Sequence, residues 1–280
     1  MPSVLVTGAS RGIGHATVKR LLGAGWDVIA GVRRESDGQS LVDQLGERVR
    51  PVLLDITNDA QVDALPAQLP ASLDALVNNA GVVVGGPVEA LALDELRRSL
   101  EVNVVGQVAV TQAVLPRLRA TRGRVVFVSS LSGRIVTPMT GAYNASKFAL
   151  EAVADALRME LWPWRIGVSL VEPAQTDTDM WRKADDQLEE SVATVSDEHR
   201  ELYAQHIDGF RKAIPKSQRM AASPDGVADT ILRALTDRRP RPRYIVGAAP
   251  RAQYRIASLL PTGALDSAMR RQSGITRREL

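Results

Sequence analysis

Short runs of β-branched and apolar residues alternate along this chain with longer stretches of helical spacing. The runs that indicate strands are residues 3–7, 27–32, 49–55, 74–79, 123–129, 166–172 and 243–247. Helical patterns lie between them, at about 12–23, 37–46, 58–68, 93–119, 142–161 and 224–236. Strands separated by helices favour parallel pairing, because a parallel connection must cross over the sheet. The sequence therefore predicts an α/β fold, a doubly wound parallel seven-stranded sheet with helices on both faces.

One segment, residues 176–222, breaks this alternation. It is polar and strandless, and its apolar residues have loosely helical spacing: Met180, Trp181, Leu188, Leu202, Tyr203, Ile207 and Phe210. Ligands of open α/β sheets bind at the carboxyl ends of the strands, so we expect a substrate lid over that edge. Packing of these residues on one another explains them equally well. The 280 residues fit one domain, 1–280, with this excursion.

Composition narrows the classes of function. The chain has no cysteine, which excludes disulfides, thiol nucleophiles and cysteine-based zinc sites, and we expect a cytoplasmic protein. No signal-peptide pattern begins the chain and no apolar run approaches the ~20 residues of a membrane span. The net charge is +3, with arginines crowded into 236–244 and 269–280. A nucleic-acid arm is conceivable, but a solvated surface is favoured because no aromatic-interleaved basic patch or nucleic-acid motif accompanies these charges. The three histidines lack metal-ligand spacing, so no metal is expected.

A glycine-rich stretch, TGASRGIG from Thr7 to Gly14, joins the first strand to the first helix. Gly8 permits a tight turn, Gly12 lets the backbone approach a pyrophosphate, and Gly14 lets the helix pack on the strand. The helix N-terminus adds N–H donors and the positive end of its dipole. The stretch therefore predicts a dinucleotide phosphate site.

The spacing Gly-x-x-x-Gly-x-Gly after Thr7 resembles that of the short-chain dehydrogenase/reductase family, whose members are single-domain Rossmann proteins that use NAD(H) or NADP(H). NNAG at 78–81 is similar to the second family signature, and the resemblance is strongest over residues 1–180. It implies a homodimer or homotetramer, and it implies that Asp55 accepts a hydrogen bond from the adenine amino group. The cofactor-binding residues that it implies are Gly8, Ser10, Arg11, Gly12, Ile13, Gly14, Arg33, Asp55, Ile56, Asn79, Ala80, Gly81, Tyr143, Lys147, Pro173, Thr176 and Thr178.

The end of the second strand bears on the choice of cofactor. Val32 stands where NAD-preferring members of the family place a carboxylate for the ribose 2′-hydroxyl, and Arg33 follows it. Arginine recognises a 2′-phosphate with paired charge-assisted hydrogen bonds, and Arg11 lies in the glycine loop. NADP(H) is therefore preferred and NAD(H) is possible. The alternative is that Arg33 and Arg34 are simply solvated.

The stretch GAYNASKFAL, residues 141–150, places Tyr143 and Lys147 on one face of a helix. Carbonyl reduction needs an acid, and a free phenol with a pKa of ~10 is poorly matched to neutral pH. A lysine cation about 5 Å away favours phenolate by roughly 3 kcal/mol at an effective dielectric near 20, so we expect a lowered pKa for Tyr143. Such pairs also occur by chance on amphipathic helices.

The family resemblance supplies two partners for this pair. Ser130, thirteen residues before Tyr143, matches the serine that hydrogen-bonds the substrate oxygen, with Ser129 and Ser132 as competing assignments. Asn103 matches the asparagine that holds a water between the lysine and solvent, although a buried asparagine satisfied by backbone is the alternative. The implied catalytic residues are Asn103, Ser130, Tyr143 and Lys147. They imply an oxidoreductase that transfers a hydride between a nicotinamide cofactor and a carbonyl or alcohol substrate. The apolar residues of the expected lid favour an apolar substrate.

One departure and two rival functions accompany this interpretation. Ala174 stands where the family usually has a glycine after Pro173, which narrows the backbone choices there. A catalytically silent dinucleotide sensor would need only the cofactor half of the site. A nucleotide-sugar epimerase shares Tyr-x-x-x-Lys, but the glycine spacing and NNAG disfavour it.

Overall fold

A seven-stranded parallel sheet forms the centre of the protein. The computed structural model describes residues 1–277, except for the side chain of Met180. The strands are β1 Ser3–Thr7, β2 Asp27–Val32, β3 Val49–Leu53, β4 Ala75–Asn78, β5 Arg124–Val128, β6 Gly167–Glu172 and β7 Arg243–Ile245. They pair in the order β3-β2-β1-β4-β5-β6-β7, all in parallel. The predicted Rossmann-like fold is confirmed, and only β3 and β7 end two residues earlier than predicted.

Helices cover both faces of the sheet. They are α1 Gly12–Gly23, α2 Glu35–Leu45, α3 Asp59–Gln68, α4 Leu93–Leu100, α5 Gly106–Thr121, α6 Gly141–Glu160, α7 Asp179–Arg182, α8 Ala184–Ala193, α9 Asp197–Leu202, α10 Ala204–Arg219, α11 Pro224–Thr236, α12 Ala248–Leu259 and α13 Thr262–Gln272. Helices α1 and α11 bury apolar residues such as Leu21 and Ile231 on one face. Helices α3, α5 and α6 bury Leu65, Val114 and Leu150 on the other. The apolar strands are therefore buried on both sides, as doubly wound sheets require.

The predicted helix 93–119 is wrong as a single element. A π-helical segment, Glu101–Val105, separates α4 from α5. Asn103 lies in this segment with its side chain fully buried. A π segment adds one residue to the hydrogen-bonded turn, and such segments are frequent at functional sites.

The 176–222 segment folds into the four helices α7 to α10, in keeping with its strandless pattern. Five buried residues of the structure, Met139, Ala184, Leu188, Ile207 and Ile214, form a small apolar cluster here, and Trp181 and Phe210 pack on it. These side chains therefore pack largely on one another. Met139, which precedes α6, also joins this cluster.

The carboxyl ends of all seven strands lie at one edge of the sheet because the strands are parallel. The direction in which successive strands are added to the sheet reverses between β1 and β4, which is the topological switch point where open α/β sheets bind ligands. The loops that follow β1, β2, β3, β4, β5 and β6 carry the residues implied as the site. Within residues 1–277, the chain forms no helix with the length and apolar character needed to cross a membrane.

Candidate active site

The glycine loop after β1 has the geometry of a phosphate-binding turn. Gly8 and Gly12 have φ angles of 62° and 55°, in the left-handed region that favours glycine. A Cβ on Gly14 would lie 2.1 Å from the Gly8 carbonyl oxygen, so only glycine allows this helix to start so close to the strand. In the fully described helix α1, the first turn has no acidic residue and no side-chain cap. The N–H groups of this turn are therefore open to an anion.

Three arginines and three aspartates line a pocket of about 590 Å³ next to this loop. Its lining is Ser10, Arg11, Arg33, Arg34, Asp37, Asp55 and Asp179. Arg34 forms a salt bridge with Asp37 at 2.7 Å, and this hydrogen bond holds the pKa of Asp37 below its ordinary value. Arg11 and Arg33 form no salt bridge within residues 1–277. Two of the three guanidinium groups thus remain available to a phosphate group.

Asn79 and Thr7 join the end of β4 to the glycine loop. The Asn79 side-chain amide donates to the carbonyl oxygens of Thr7 at 3.0 Å and Gly8 at 3.1 Å. The Thr7 hydroxyl accepts the backbone N–H groups of Asn79 at 3.0 Å and Ala80 at 3.1 Å. NNAG therefore holds the shape of the first loop, which gives the second signature a structural task beside the cofactor site.

The loop after β3 presents Asp55 and Ile56. Asp55 is half-buried, and its Oδ1 accepts the Thr57 backbone N–H at 3.0 Å and the Thr57 hydroxyl at 2.8 Å. The Ile56 side chain is only 5% exposed and packs in the core, so Ile56 can offer a ligand little beyond its backbone. Ile13 similarly packs against the core from the glycine loop.

The loop after β6 passes over the glycine loop. A Cβ on Gly12 would lie 3.1 Å from Thr178 Cγ2, and Thr178 caps the short helix α7. Thr176 is buried and donates to the Ala174 carbonyl oxygen at 3.1 Å. Arg122, Met139 and Arg165 are the described non-glycine residues with a left-handed φ, so Ala174 meets no such strain. The structure thus brings Pro173, Thr176 and Thr178 to the same edge without requiring the family glycine.

Ser130, Tyr143 and Lys147 converge at the carboxyl end of β5. Ser130 follows the strand, and its Oγ accepts the Ser132 N–H at 3.1 Å and donates to the Pro173 carbonyl oxygen at 3.5 Å. It also lies close enough to the Tyr143 phenol to lower the pKa of that group. Lys147 Nζ donates to the Val128 carbonyl oxygen at 2.9 Å and lies 5.8 Å from the centroid of the Tyr143 ring. Ser129 is only 3% exposed, and its hydroxyl has no hydrogen-bond partner among the described atoms. The geometry therefore favours Ser130 over Ser129 as the partner of the tyrosine.

The electrostatics of the pair differ from the sequence-based expectation. Burial raises the pKa of Tyr143 above its ordinary value, and the interaction with Ser130 lowers it only in part. Burial also lowers the pKa of Lys147 to about 8, against the opposing charge of Glu151. The expectation of a lowered pKa for Tyr143 is therefore wrong for this structure, because desolvation of the phenol outweighs the interaction with Ser130 that lowers the pKa. At neutral pH the tyrosine is a neutral phenol that can donate a proton, beside a largely protonated lysine.

Asn103 lies behind this pair with its amide fully engaged. Its Oδ1 accepts the Val82 N–H at 2.9 Å, and its Nδ2 donates to the Val82 carbonyl and to Ser146 Oγ, both at 2.9 Å. Ser146 Oγ in turn donates to the Tyr143 carbonyl oxygen at 2.8 Å. A Cβ on Gly81 would lie 3.1 Å from Asn103 Oδ1 and 3.9 Å from Lys147 Nζ. The side chain is thus satisfied by protein, largely by backbone, and it fixes the corner where Gly81 meets the lysine.

Two supporting residues were missed in the sequence. Asn144 Nδ2 donates to the carbonyls of Ser132 at 2.8 Å and Ile135 at 3.1 Å, which ties the loop after Ser130 to the start of α6. Glu172, at the end of β6, is completely buried beside Glu151 of α6. A glutamate ending the otherwise apolar run VSLV, and another one helical turn after Lys147, were signals that could have drawn attention to this pair. Among residues 1–277, no group of three or more His, Asp or Glu side chains is arranged to hold a metal ion.

Comparisons with known proteins identify the family. The family model described as short chain dehydrogenase matches residues 2–189, and the chain belongs to that family. It is 32% identical to an NADPH-dependent 3-dehydrocapnine reductase of Ornithobacterium rhinotracheale, with 95% of both chains covered. It is also 32% identical to retinol dehydrogenase 5 of Mus musculus, over 95% of this chain and 87% of the relative. A short chain dehydrogenase from Burkholderia cenocepacia, solved in complex with NADP, superposes with a TM-score of 0.75 at 26% identity, covering 96% of this chain and 97% of the other.

Family membership defines the class of protein. The chain is an oxidoreductase that acts on CH–OH or C=O groups with a nicotinamide dinucleotide. A catalytically silent sensor is not favoured, since residues of all four implied catalytic types are in place beside the nucleotide loop.

Proposed function

We propose that this enzyme is an NADPH-preferring reductase of an apolar carbonyl compound, able to run in the reverse direction on the corresponding alcohol. The observation that carries the proposal is the neutral, half-buried Tyr143 phenol, which lies beside Ser130 and is backed by Lys147 at the switch-point edge of the sheet. Tyr143 donates a proton to the oxygen that develops negative charge, and Ser130 hydrogen-bonds the same oxygen. Lys147 stabilises the phenolate that remains. Asn103 positions this corner through Val82 and Ser146.

The residues of the nucleotide edge fit the cofactor. Open N–H groups at the start of α1, the left-handed Gly8 and Gly12, and the basic pocket provide for a pyrophosphate and a further phosphate. Bound NADPH would supply the hydride to the carbonyl carbon. The residues that would hold it are Gly8, Ser10, Arg11, Gly12, Ile13, Gly14, Arg33, Asp55, Ile56, Asn79, Ala80, Gly81, Pro173, Thr176 and Thr178, with Tyr143 and Lys147 facing the nicotinamide end.

The preference for NADPH is proposed from Arg11 and Arg33. Both are exposed at the pocket beyond β2, and Val32 leaves that strand end without a carboxylate. The names of two similar proteins point the same way, one being called NADPH-dependent and the other solved with NADP. NADH remains a weaker cofactor in this proposal, because the adenosine and pyrophosphate contacts are common to both.

The substrate side is proposed to be covered by the 176–222 segment, as a lid within a single domain of residues 1–280. Two contacts anchor it across the edge: Ser191 Oγ donates to the Gly85 carbonyl at 3.0 Å, and the Tyr203 hydroxyl donates to Glu89 at 2.7 Å. Its own core is the apolar cluster around Leu188 and Ile207, on which the partly buried Trp181 and Phe210 pack. An apolar ketone or aldehyde suits such a cover, and one similar protein is named for retinol. A homodimer or homotetramer is the assembly we propose, to be measured by light scattering.

Turnover with a carbonyl panel tests the function. NADPH and NADH oxidation would be followed with aliphatic, aromatic and polar ketones and aldehydes on the wild type, Tyr143→Phe and Tyr254→Phe. We expect Tyr143→Phe to lower kcat at least about 100-fold, the size of a general-acid contribution, and to leave the Kd for NADPH within threefold. Tyr254→Phe removes a phenol hydroxyl that bonds Arg134 instead, and it should keep kcat within about twofold. Full turnover by Tyr143→Phe would falsify the acid assignment.

A further inference from the structure

A pair of buried glutamates lies on the far side of Lys147 from the tyrosine. Glu151 follows Lys147 by one turn of α6 and is 5% exposed, and Glu172 ends β6 with no exposure. Among the described atoms, both oxygens of Glu172 and Oε1 of Glu151 accept no hydrogen bond. Two carboxylates that face each other have no donor between them, so a shared proton is the simplest way to satisfy them. Burial and the neighbouring Glu151 raise the pKa of Glu172, as such a pair requires.

The cations around this pair are largely engaged elsewhere. Arg243 donates to Glu151 Oε2 at 2.9 Å and to the two oxygens of Asp155 at 3.0 and 2.5 Å. It lies 3.4 Å from Glu172 Oε1, and Arg134 lies 3.9 Å away. Arg134 donates to the Tyr254 hydroxyl at 2.8 Å and stacks over that ring. Asp155 also forms a salt bridge with Arg158 at 2.9 Å. The cations therefore lie at the outer side of the cluster, and no hydrogen-bond donor lies between the two glutamates unless one of them holds a proton.

The third charged neighbour is Lys147 itself. Gly133 packs between the groups: a Cβ there would lie 3.1 Å from Glu151 Cγ, from the Lys147 carbonyl oxygen and from Ser129 Oγ. The i,i+4 spacing places the glutamate on the lysine's side of the helix, about 6 Å away between Cβ atoms. The Glu151 charge opposes the lowering of the Lys147 pKa by burial. Lys147 has no other carboxylate among the groups that shift its pKa.

We propose that Glu151 is a positioning residue for the reaction, whose carboxylate, anchored by Arg243 and sharing a proton with Glu172, keeps the buried Lys147 cationic. The inference rests on the proposed function in that Lys147 is taken to serve Tyr143. A pocket of about 380 Å³ between α6, α12 and α13 is lined in part by Glu151, Arg134, Arg243 and Tyr254, so it reaches the pair from the Glu151 side. Protons therefore reach the pair without passing the nucleotide edge. Without the Glu151 charge, nothing opposes the lowering of the Lys147 pKa by desolvation, so Lys147 loses its proton at a lower pH.

A direct titration of Lys147 tests this. The chain holds five lysines, so ε-¹³C-lysine NMR of the cofactor-free protein resolves few signals, and Lys147→Arg assigns the one of interest. In Glu151→Gln we expect the Lys147 midpoint to fall by about one pH unit. One charge about 6 Å away at an effective dielectric near 20 would shift it by about two units, and the Arg243 cation bound to Glu151 offsets part of that. Asp155→Asn is the matched control, since it removes a carboxylate from the same arginine one turn further along α6. Its midpoint should stay within about 0.2 units of the wild type.

The pH profile of turnover provides the second readout. A one-unit fall makes the cationic fraction of Lys147 about fivefold smaller at pH 8 and nearly unchanged at pH 6, so kcat/KM of Glu151→Gln should follow that pattern. Glu151→Asp keeps the charge and should restore most of the midpoint; it also serves if Glu151→Gln does not fold. An unmoved Lys147 midpoint in Glu151→Gln, or an equal shift in Asp155→Asn, overturns the proposal. Because the NMR arm needs no substrate, it decides the role of Glu151 even if no carbonyl is reduced.

Discussion

The choice between the two nicotinamide cofactors can be tested through a single arginine. Arg33 is exposed and forms no salt bridge in residues 1–277, so replacing it by alanine removes a cation from the pocket and disturbs no partner. Hydrogen bonds to charged groups contribute about 1.5–3 kcal/mol, and exposure to solvent places this one in the lower part of that range. A loss of about 1.5–2 kcal/mol is a 10- to 30-fold weaker Kd for NADPH. NADH lacks the 2′-phosphate and should bind within about threefold of its wild-type affinity.

Titration calorimetry of both cofactors with wild type, Arg33→Ala and Arg34→Ala provides the measurement. Arg34 carries the same charge next in sequence but is already bound to Asp37. Its removal should weaken NADPH only a few-fold, mainly because the freed Asp37 carboxylate then faces the phosphate. The reasoning is refuted if the wild type binds NADH more tightly than NADPH, or if Arg33→Ala weakens both cofactors equally.

Four further predictions follow from the geometry. Gly14→Ala places a Cβ 2.1 Å from the Gly8 carbonyl oxygen, so NADPH binding should weaken at least about tenfold and Tm should fall; normal calorimetric affinity would contradict the close packing. Asn103→Ala removes three hydrogen bonds of a buried amide and should lower the free energy of unfolding by about 2–3 kcal/mol in urea, whereas a change below about 0.5 kcal/mol would show that the π-helical corner tolerates the loss. The pKa of Lys147 is lowered to about 8, and the proposed mechanism needs this lysine as a cation. The value of kcat/KM for reduction should therefore be constant below that pH and fall as the pH rises through it. A profile that stays flat to about pH 10 would exclude this role. Leu188→Ala leaves a cavity in the apolar cluster of the lid and should speed amide hydrogen exchange across 184–219. It should also raise KM for large apolar ketones more than for small ones. Unchanged exchange would argue against a loosened lid.

The sequence predicted the sheet well because its strands are buried on both faces. Runs such as 27–32 are continuous in β-branched and apolar residues, and they end where glycine or charged residues begin. The family resemblance placed the glycine loop, NNAG and Ser130 at the correct edge, since strand order and loop position follow from the fold. These signals are local in sequence, which is why they could be recognised there.

Three features depended on contacts that no local pattern carries. Helices α12 and α13, described in full, have no buried residue, so their apolar positions form no clear stripe and their arginines suggested only a solvated surface. The last three residues of that basic segment, 278–280, lie outside the described residues. The Glu151–Glu172 pair forms only when α6 and β6 pack together. The pKa of Tyr143 is raised instead of lowered, because the expectation counted the charge of Lys147 and left out the desolvation of the phenol.

The π-helical segment Glu101–Val105 affects how this chain should be aligned with its relatives. Each helical residue turns the chain by about 100°, so the one extra residue of the π turn rotates all of α5 relative to α4. Val110, Val114 and Leu118 face the sheet only with that rotation included. A one-residue gap drawn through 101–105 would therefore turn the buried face of α5 toward solvent, whereas the same gap in a surface loop would be harmless. Alignments of this chain with its relatives should therefore keep gaps out of positions 101–105, although Asn103 is the buried residue among them.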